Sequence, residues 1–272
     1  MFPSFKVFER TIGMYSVAAI VGLLIAAVFF FLRVKKKNVR IEDVILMTLT
    51  IVAGLLVGGH LLYGLTQISN IVSLIKGAED LTFVEFVQRL AGYFGGAVFY
   101  GGLFGSFAGG AMYLKHSKLA PETKTYVVDT YACAVPLFHT FGRIGCFLGG
   151  CCYGIESEFG FIAHGNTVVP ELNDVRRFPV ALFEAGCNLI LFFVLWYVSN
   201  RAKKQGRTVY YYGLAYPVIR FTLEFFRGDE IRGKLFGLST SQWISILFFA
   251  FSAAMLIYLH SKDKKPMTNA NE

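Results

Sequence analysis

An arginine, a histidine and three cysteines stand within one short run, His139-Thr-Phe-Gly-Arg-Ile-Gly-Cys-Phe-Leu-Gly-Gly-Cys-Cys-Tyr-Gly154, in a stretch otherwise apolar enough for lipid. A charge at membrane depth costs roughly 2.5–3.5 kcal/mol on insertion scales. Keeping Arg143 there points to a use, and the use expected is to hold an anion. Gly142, Gly145 and Gly154 let a backbone or a ligand come close. A second charged set lies in Tyr216-Pro-Val-Ile-Arg-Phe-Thr-Leu-Glu-Phe-Phe-Arg227. Arg220, Glu224 and Arg227 recur at helical spacing and share one face. They form either an intrahelical ion network that neutralises the arginine, or a device in which Glu224 fixes the Arg220 guanidinium for bidentate contact with a phosphate. The two readings are compatible.

The cysteines are Cys133, Cys146, Cys151, Cys152 and Cys187, an odd number that leaves at least one thiol free or paired between chains. The C-x4-C-C spacing matches no usual zinc pattern, so no metal is expected. Cys146, Cys151 and Cys152 are then small side chains filling gaps beside glycines, or reactive thiols. Cys133 and Cys187 stand alone in apolar runs, as packing residues do. His60, in Gly58-Gly-His-Leu-Leu-Tyr63, reads as a hydrogen-bonded helix-end residue or a base. Tyr100, before Gly101-Gly102, has a hydroxyl for a ligand or a neighbouring carbonyl.

The elements that must position these groups belong in a bilayer. Hydrophobic residues make up 55% of the chain and charged ones 16%, where a soluble domain carries about 25% charged. Apolar runs of about 20 residues predict an all-α, polytopic membrane protein of about seven transmembrane helices, near 12–32, 44–65, 92–114, 127–150, 179–199, 209–226 and 242–260. The first run is too long, with too few basic residues before it, for a cleaved signal peptide. Basic residues concentrate after the first, third and fifth runs and in the tail, from Arg33 to Arg40, Lys115 to Lys124, Arg201 to Arg207 and Lys262 to Lys265. By the positive-inside rule the N-terminus is outside and the C-terminus cytoplasmic. The net charge of +8 is thus mostly a topology signal, and nucleic acid is not an expected partner. Leu81–Leu90 predicts an amphipathic segment at the interface. Residues 155–178 are polar and irregular, a cap or a gate. No repeat or linker divides the chain, so 1–272 is expected to be one membrane domain.

These residues resemble the prolipoprotein diacylglyceryl transferase family of bacteria, over nearly the whole chain. Gly142-Arg143-x-Gly145-x-Phe147 is similar to the family's G-R-x-G-N-F signature. Tyr100-Gly101-Gly102 falls where the family has H-G-G. Arg177-Phe178-Pro179 with Leu182-Phe183-Glu184 resembles its R-x-P-x-x-L-Y-E segment, Arg220 to Arg227 its R-x-x-x-E-F-x-R helix, and Gly237-Leu238-Ser239-x-x-Gln242 the start of its last span. The departures cluster: Cys146 replaces asparagine, Cys151 an acidic residue, Tyr100 the histidine of H-G-G, and His60 an arginine of the second span.

The resemblance implies the following chemistry. A lipobox cysteine thiol of a prolipoprotein attacks the glycerol carbon of phosphatidylglycerol, glycerol phosphate leaves, and a thioether forms. No cofactor is implied. Arg143 and Arg220, with His60 and Tyr100, are the expected catalytic residues. Gly142, Gly145, Gly154, Glu224 and Arg227 join Arg143 in binding the lipid. The substrate brings its own nucleophile, and His60 or His139 would take its proton. The partners are phosphatidylglycerol, the lipobox segment and the bilayer, and the place is the bacterial cytoplasmic membrane. Two alternatives remain: a related transferase working through a thiolate of Cys146, Cys151 or Cys152, and a lipid-binding bundle without catalysis.

Overall fold

The computed structural model describes residues 4–7, 10–37, 39–96, 98–166, 169–202, 204–229 and 234–264. Among them the helices are α1 (Met14–Lys35), α2 (Ile41–Thr66), α3 (Ile68–Lys76), α4 (Phe83–Gly92), α5 (Phe99–His116), α6 (Pro121–Gly149), α7 (Val180–Arg201), α8 (Thr208–Glu224) and α9 (Thr240–Lys264). Three antiparallel pairs accompany them: β1 (Ser4–Val7) with β2 (Arg10–Gly13), β3 (Glu156–Ile162) with β4 (Arg176–Arg177), and β5 (Lys234–Leu235) with β6 (Leu238–Ser239).

Each expected span has its helix. Five of these, α1, α2, α6, α7 and α9, are long and apolar enough to cross a membrane. Two fall short: α5 is diluted by glycine and ends on Lys115-His116, and α8 has 17 residues, among them four tyrosines and an arginine. Leu23, Leu24, Leu56, Ile190 and Leu247 are more than half exposed on these helices, the surface of a chain solvated by lipid. This is a multi-pass membrane protein.

The boundaries differ from expectation where glycine and proline act. The third span begins at Phe99 rather than 92, because the chain turns through Gly92, Gly95 and Gly96 after α4. The fourth begins six residues early, with Pro121 in its first turn, where a missing N–H costs nothing. The Leu81–Leu90 segment is the helix α4, entered through a capping box in which Thr82 and Glu85 satisfy each other's backbone N–H. Residues 155–178, expected to be irregular, carry β3 and β4, paired with a register shift between Glu156 and Phe161.

The chain forms two compact units, residues 1–34 with 125–272, and residues 35–124. In the second, α2 lies against α5 at backbone contact: a Cβ on Gly54 or Gly58 would collide with the carbonyl of Gly105 or Gly101, and the reverse also holds. Where lipid is as apolar as leucine, such close packing of small residues joins helices. In the first, α1 runs along α6, with Gly22 against Phe141 and Gly145 against Ala18. Cys133, Leu191 and Leu195 are buried there, packed by Phe29, Tyr212 and Tyr216.

Candidate active site

Glu184 is the centre of the polar cluster in the first unit, and its side chain is fully buried. The buried stripe of α7 runs Val180, Ala181, Glu184, Ala185, Asn188, Leu191, Leu195, a helical period that puts the carboxylate inside the bundle. From α6, His139 and Arg143 stand one turn apart. The Arg143 Nη2 lies 3.0 Å from Glu184 Oε1, and the His139 Nε2 lies 3.9 Å from the same oxygen. From α8, Tyr216 and Arg220 are also one turn apart. The Tyr216 hydroxyl donates to Glu184 Oε1 at 3.4 Å, and Arg220 Nη1 lies 4.0 Å from Oε2. Two helices thus present successive turns to one carboxylate on a third.

The Arg220 guanidinium is held by Glu224 at 2.5 Å, and its Nη2 donates to Ser241 Oγ on α9 at 3.1 Å. The start of α9 is itself fixed: Ser239 N–H donates to Gln242 Oε1 and Gln242 N–H to Ser239 Oγ, a capping box. Arg227 is paired with Asp229 through two hydrogen bonds, 2.8 and 2.6 Å, and stands 4.0 Å from Glu224. Four buried polar atoms in this cluster have no hydrogen-bond partner among the described residues: Arg143 Nε, Arg220 Nη1, Glu184 Oε2 and Glu224 Oε2. Leaving such a group unmade costs about 1–3 kcal/mol, more when charged, so the cluster is arranged for something that completes it.

Gly150, at φ +69°, ends α6 in the left-handed conformation. Its N–H donates to Phe147 O and that of Cys151 to Cys146 O, both at 3.3 Å. This is the Schellman motif, in which the second residue beyond the helix folds back over its last turn. Here the two residues so apposed are Cys151 and Cys146. Cys152 follows, and the three sulfurs lie within 4.8 Å of one another. Arg143 Nη1 faces the Cys152 sulfur at 3.9 Å. The Cys152 thiol is held well below its ordinary range, first by the Cys146 and Cys151 thiols and then by the Arg227 guanidinium.

Other expected residues have different surroundings. A Cβ on Gly142 would meet nothing, whereas Gly145 is filled by α1 and Gly154 by the carbonyls of Phe178 and Phe226. Gly154 therefore serves a backbone crossing, where Ile155 N–H donates to Phe226 O and Gly228 N–H to Tyr153 O. In the second unit, His60 Nδ1 lies 2.8 Å from Phe94 O and 2.7 Å from Gly96 O, which fastens the turn before α5. Both partners only accept, so this nitrogen carries the proton. Tyr100 lies in the first turn of α5, and its side chain is outside the described residues.

Residues 4–258 match the family described as prolipoprotein diacylglyceryl transferase. The chain belongs to that family. It is similar to the phosphatidylglycerol–prolipoprotein diacylglyceryl transferase of Clostridium tetani, 31% identical over 263 residues, 96% of each chain. It is 34% identical over 264 residues to the second such transferase of Clostridium perfringens, 95% of this chain and 94% of that one. The corresponding protein of Campylobacter jejuni is 27% identical over 270 residues, 96% and 94%.

Against the family's site as read from sequence, the structure gathers Arg143, Arg220, Glu224 and Arg227 and adds Glu184, Tyr216 and Ser241. Glu184 stood in the sequence only as the end of a motif. Its signal was the same as that of Arg143, a charge within an apolar helix, and the helical stripe through Asn188 and Leu191 would have turned it inward.

Proposed function

We propose that this chain transfers the diacylglyceryl group of phosphatidylglycerol to the lipobox cysteine of prolipoproteins in the bacterial cytoplasmic membrane. In this reading the chain is a single membrane domain that crosses seven times, with its N-terminus outside and its C-terminus cytoplasmic. One observation carries the site assignment: two arginines from different helices converge on one buried carboxylate, with donors and an acceptor left open.

The open Arg143 Nε and Arg220 Nη1 suit phosphate oxygens, and the open Glu184 oxygen suits a hydroxyl donor of the glycerol headgroup. A phosphodiester headgroup bearing hydroxyls offers both kinds of partner. In the reaction the thiol sulfur forms a bond to the glycerol carbon, the carbon–oxygen bond to phosphate breaks, and glycerol phosphate leaves with the electron pair. Charge grows on that phosphate, and fixed guanidiniums in a dry site stabilise it as it grows. Glu184 keeps both guanidiniums aimed, and His139 stands beside it, 3.9 Å from Oε1.

The test supplies radiolabelled phosphatidylglycerol and a lipobox peptide to the purified protein in lipid. Label on the peptide cysteine is expected from wild type and not from Glu184→Gln, with Glu184→Gln still folded in the membrane. Equal labelling by both would remove Glu184 from the site. Cysteine accessibility tests the topology: positions near Lys36, Lys118 and Lys204 should be cytoplasmic and those near Glu79 and Glu171 outside. A cytoplasmic result at Glu171 sinks the seven-span arrangement.

A further inference from the structure

The thiol cluster at the end of α6 has a construction that gap-filling does not require. A Schellman turn around Gly150 folds Cys151 onto Cys146, and Cys152 closes the triangle. Cys151 and Cys152 sulfurs are 3.9 Å apart. Sulfurs bound at about 2.3 Å around a tetrahedral zinc are separated by about 3.8 Å. A site with three protein ligands keeps its fourth position open, as catalytic rather than structural zinc sites do.

We propose that Cys146, Cys151 and Cys152 hold a thiophilic divalent cation, zinc by preference, whose fourth position takes the incoming prolipoprotein thiol; this rests on the transfer reaction proposed above. The charges support that occupant. Three thiolates and a substrate thiolate around a divalent cation carry a net charge of minus two, and Arg143 Nη1 faces the Cys152 sulfur at 3.9 Å. Arg143 also links the two halves of the reaction. One end of its fork, Nη2, is paired with Glu184, and the other, Nη1, faces the thiol cluster. The nucleophilic sulfur is thereby placed beside the phosphate that leaves. Cys152 also lines a pocket with Tyr153, Phe147, Phe161, Phe178 and Arg177.

The chemistry balances without a redox partner. The peptide thiol binds and gives its proton to solvent, since a metal-bound thiol is deprotonated outright. The bound sulfur forms its bond to the glycerol carbon as the carbon–oxygen bond to phosphate breaks. The thioether product is neutral, a poorer ligand, and leaves the cation in place.

The experiment uses reduced, purified full-length protein in lipid. Wild type is expected to retain one zinc per chain, and Cys146→Ser, Cys151→Ser and Cys152→Ser each to lose it while remaining monodisperse. With cobalt in place of zinc, thiolate-to-metal absorption should appear, and a lipobox peptide should shift the cobalt bands where its Cys→Ser analogue does not. In wild type, with no mutation to disturb folding, removing metal with a chelator should cut peptide labelling more than tenfold, and zinc should restore it. No retained metal, an intrachain disulfide among the three cysteines in the native protein, or full labelling by the triple serine variant each overturns the proposal. Peptide-dependent cobalt bands without lipid transfer would leave the metal site standing and sink the transfer reading instead.

Discussion

Arg33 is buried in the first unit and the Arg143 side chain is 14% exposed there; they stand at opposite ends of α6, and their surroundings differ in what is left open. At the Arg33 end, its Nη2 donates to Ser199 Oγ, its Nη1 faces Cys133, and its carbonyl accepts from the Tyr126 hydroxyl at 2.9 Å. Its guanidinium lies over the Tyr126 ring. One turn along α6, both oxygens of Asp129 are used, one accepting from Gly206 N–H at 2.7 Å and the other from Thr208 N–H at 2.9 Å. Asp129 thereby caps the first turn of α8, whose orphan N–H groups need an acceptor. Among the described residues, Arg33 Nε is the one buried polar atom there without a hydrogen-bond partner. About 21 Å further along α6, fourteen residues at 1.5 Å each, Arg143 and Arg220 share one carboxylate and leave two donors and an acceptor open. In the first region the charged groups are met by side chains and backbone of the fold; in the second, part of their hydrogen-bonding capacity is left open. Burial of an arginine is therefore not what marks the site. Incomplete pairing is.

That contrast can be broken by substitution. The largest expected effect is at the open end: Arg143→Lys or Arg220→Lys should cut labelling of a lipobox peptide by about 10²-fold or more, since lysine keeps the charge and loses the planar fork. Membrane insertion and thermal midpoint should change little. Near-normal turnover in Arg143→Lys would put this cluster in the same class as the Arg33 end.

Asp129→Ala should give the opposite pattern. Two N–H groups lose their acceptor, so thermal unfolding in detergent should show a loss of about 2 kcal/mol, while transfer per folded molecule stays at the wild-type level. A fall in turnover per folded molecule would mean the two ends of α6 are coupled.

A packing control lies in the second unit. Gly105→Ala puts a methyl group against the Gly54 carbonyl, and forcing two backbones apart costs about 1–3 kcal/mol. Detergent stability should fall, with Gly110→Ala, which meets only the flexible Ile51 side chain, nearly neutral. Equal effects from the two would contradict backbone contact between α2 and α5.

The smallest effect concerns α4. The Glu85 carboxyl is held below its usual range by the Thr82 N–H and then the Thr82 hydroxyl. A depressed carboxylate contributes stability that is present above its ordinary pKa and lost as pH falls through the lowered one. Hydrogen exchange at the first turn of α4 should therefore quicken on acidification in wild type. In Glu85→Ala, which removes the titrating carboxyl, it should already be fast at neutral pH and respond less to acid. An unchanged acid response in that variant would rule out the capping box as the cause.

Much of this was legible without coordinates, and for a physical reason. Lipid requires about 20 apolar residues per crossing and penalises every charge, so helix positions, and the expectation that Arg143, Arg220 and Glu224 face inward, follow from hydropathy and spacing alone. The capping pairs Thr82/Glu85 and Ser239/Gln242 are local as well, since three residues of separation suffice. What tertiary structure alone decided is what meets across helices. Glu184 is 41 residues from Arg143 and 36 from Arg220 in the chain, and no periodicity within α7 tells which helices pack on its buried stripe. Gly154 looked like a ligand contact until two backbones were found crossing over it. Spacing gives the three thiols as gap fillers or reactive groups and not as metal ligands, because C-x4-C-C fits no common metal pattern. Their convergence depends on a left-handed glycine at the end of α6 that folds Cys151 back onto Cys146, a geometry that spacing rules do not encode.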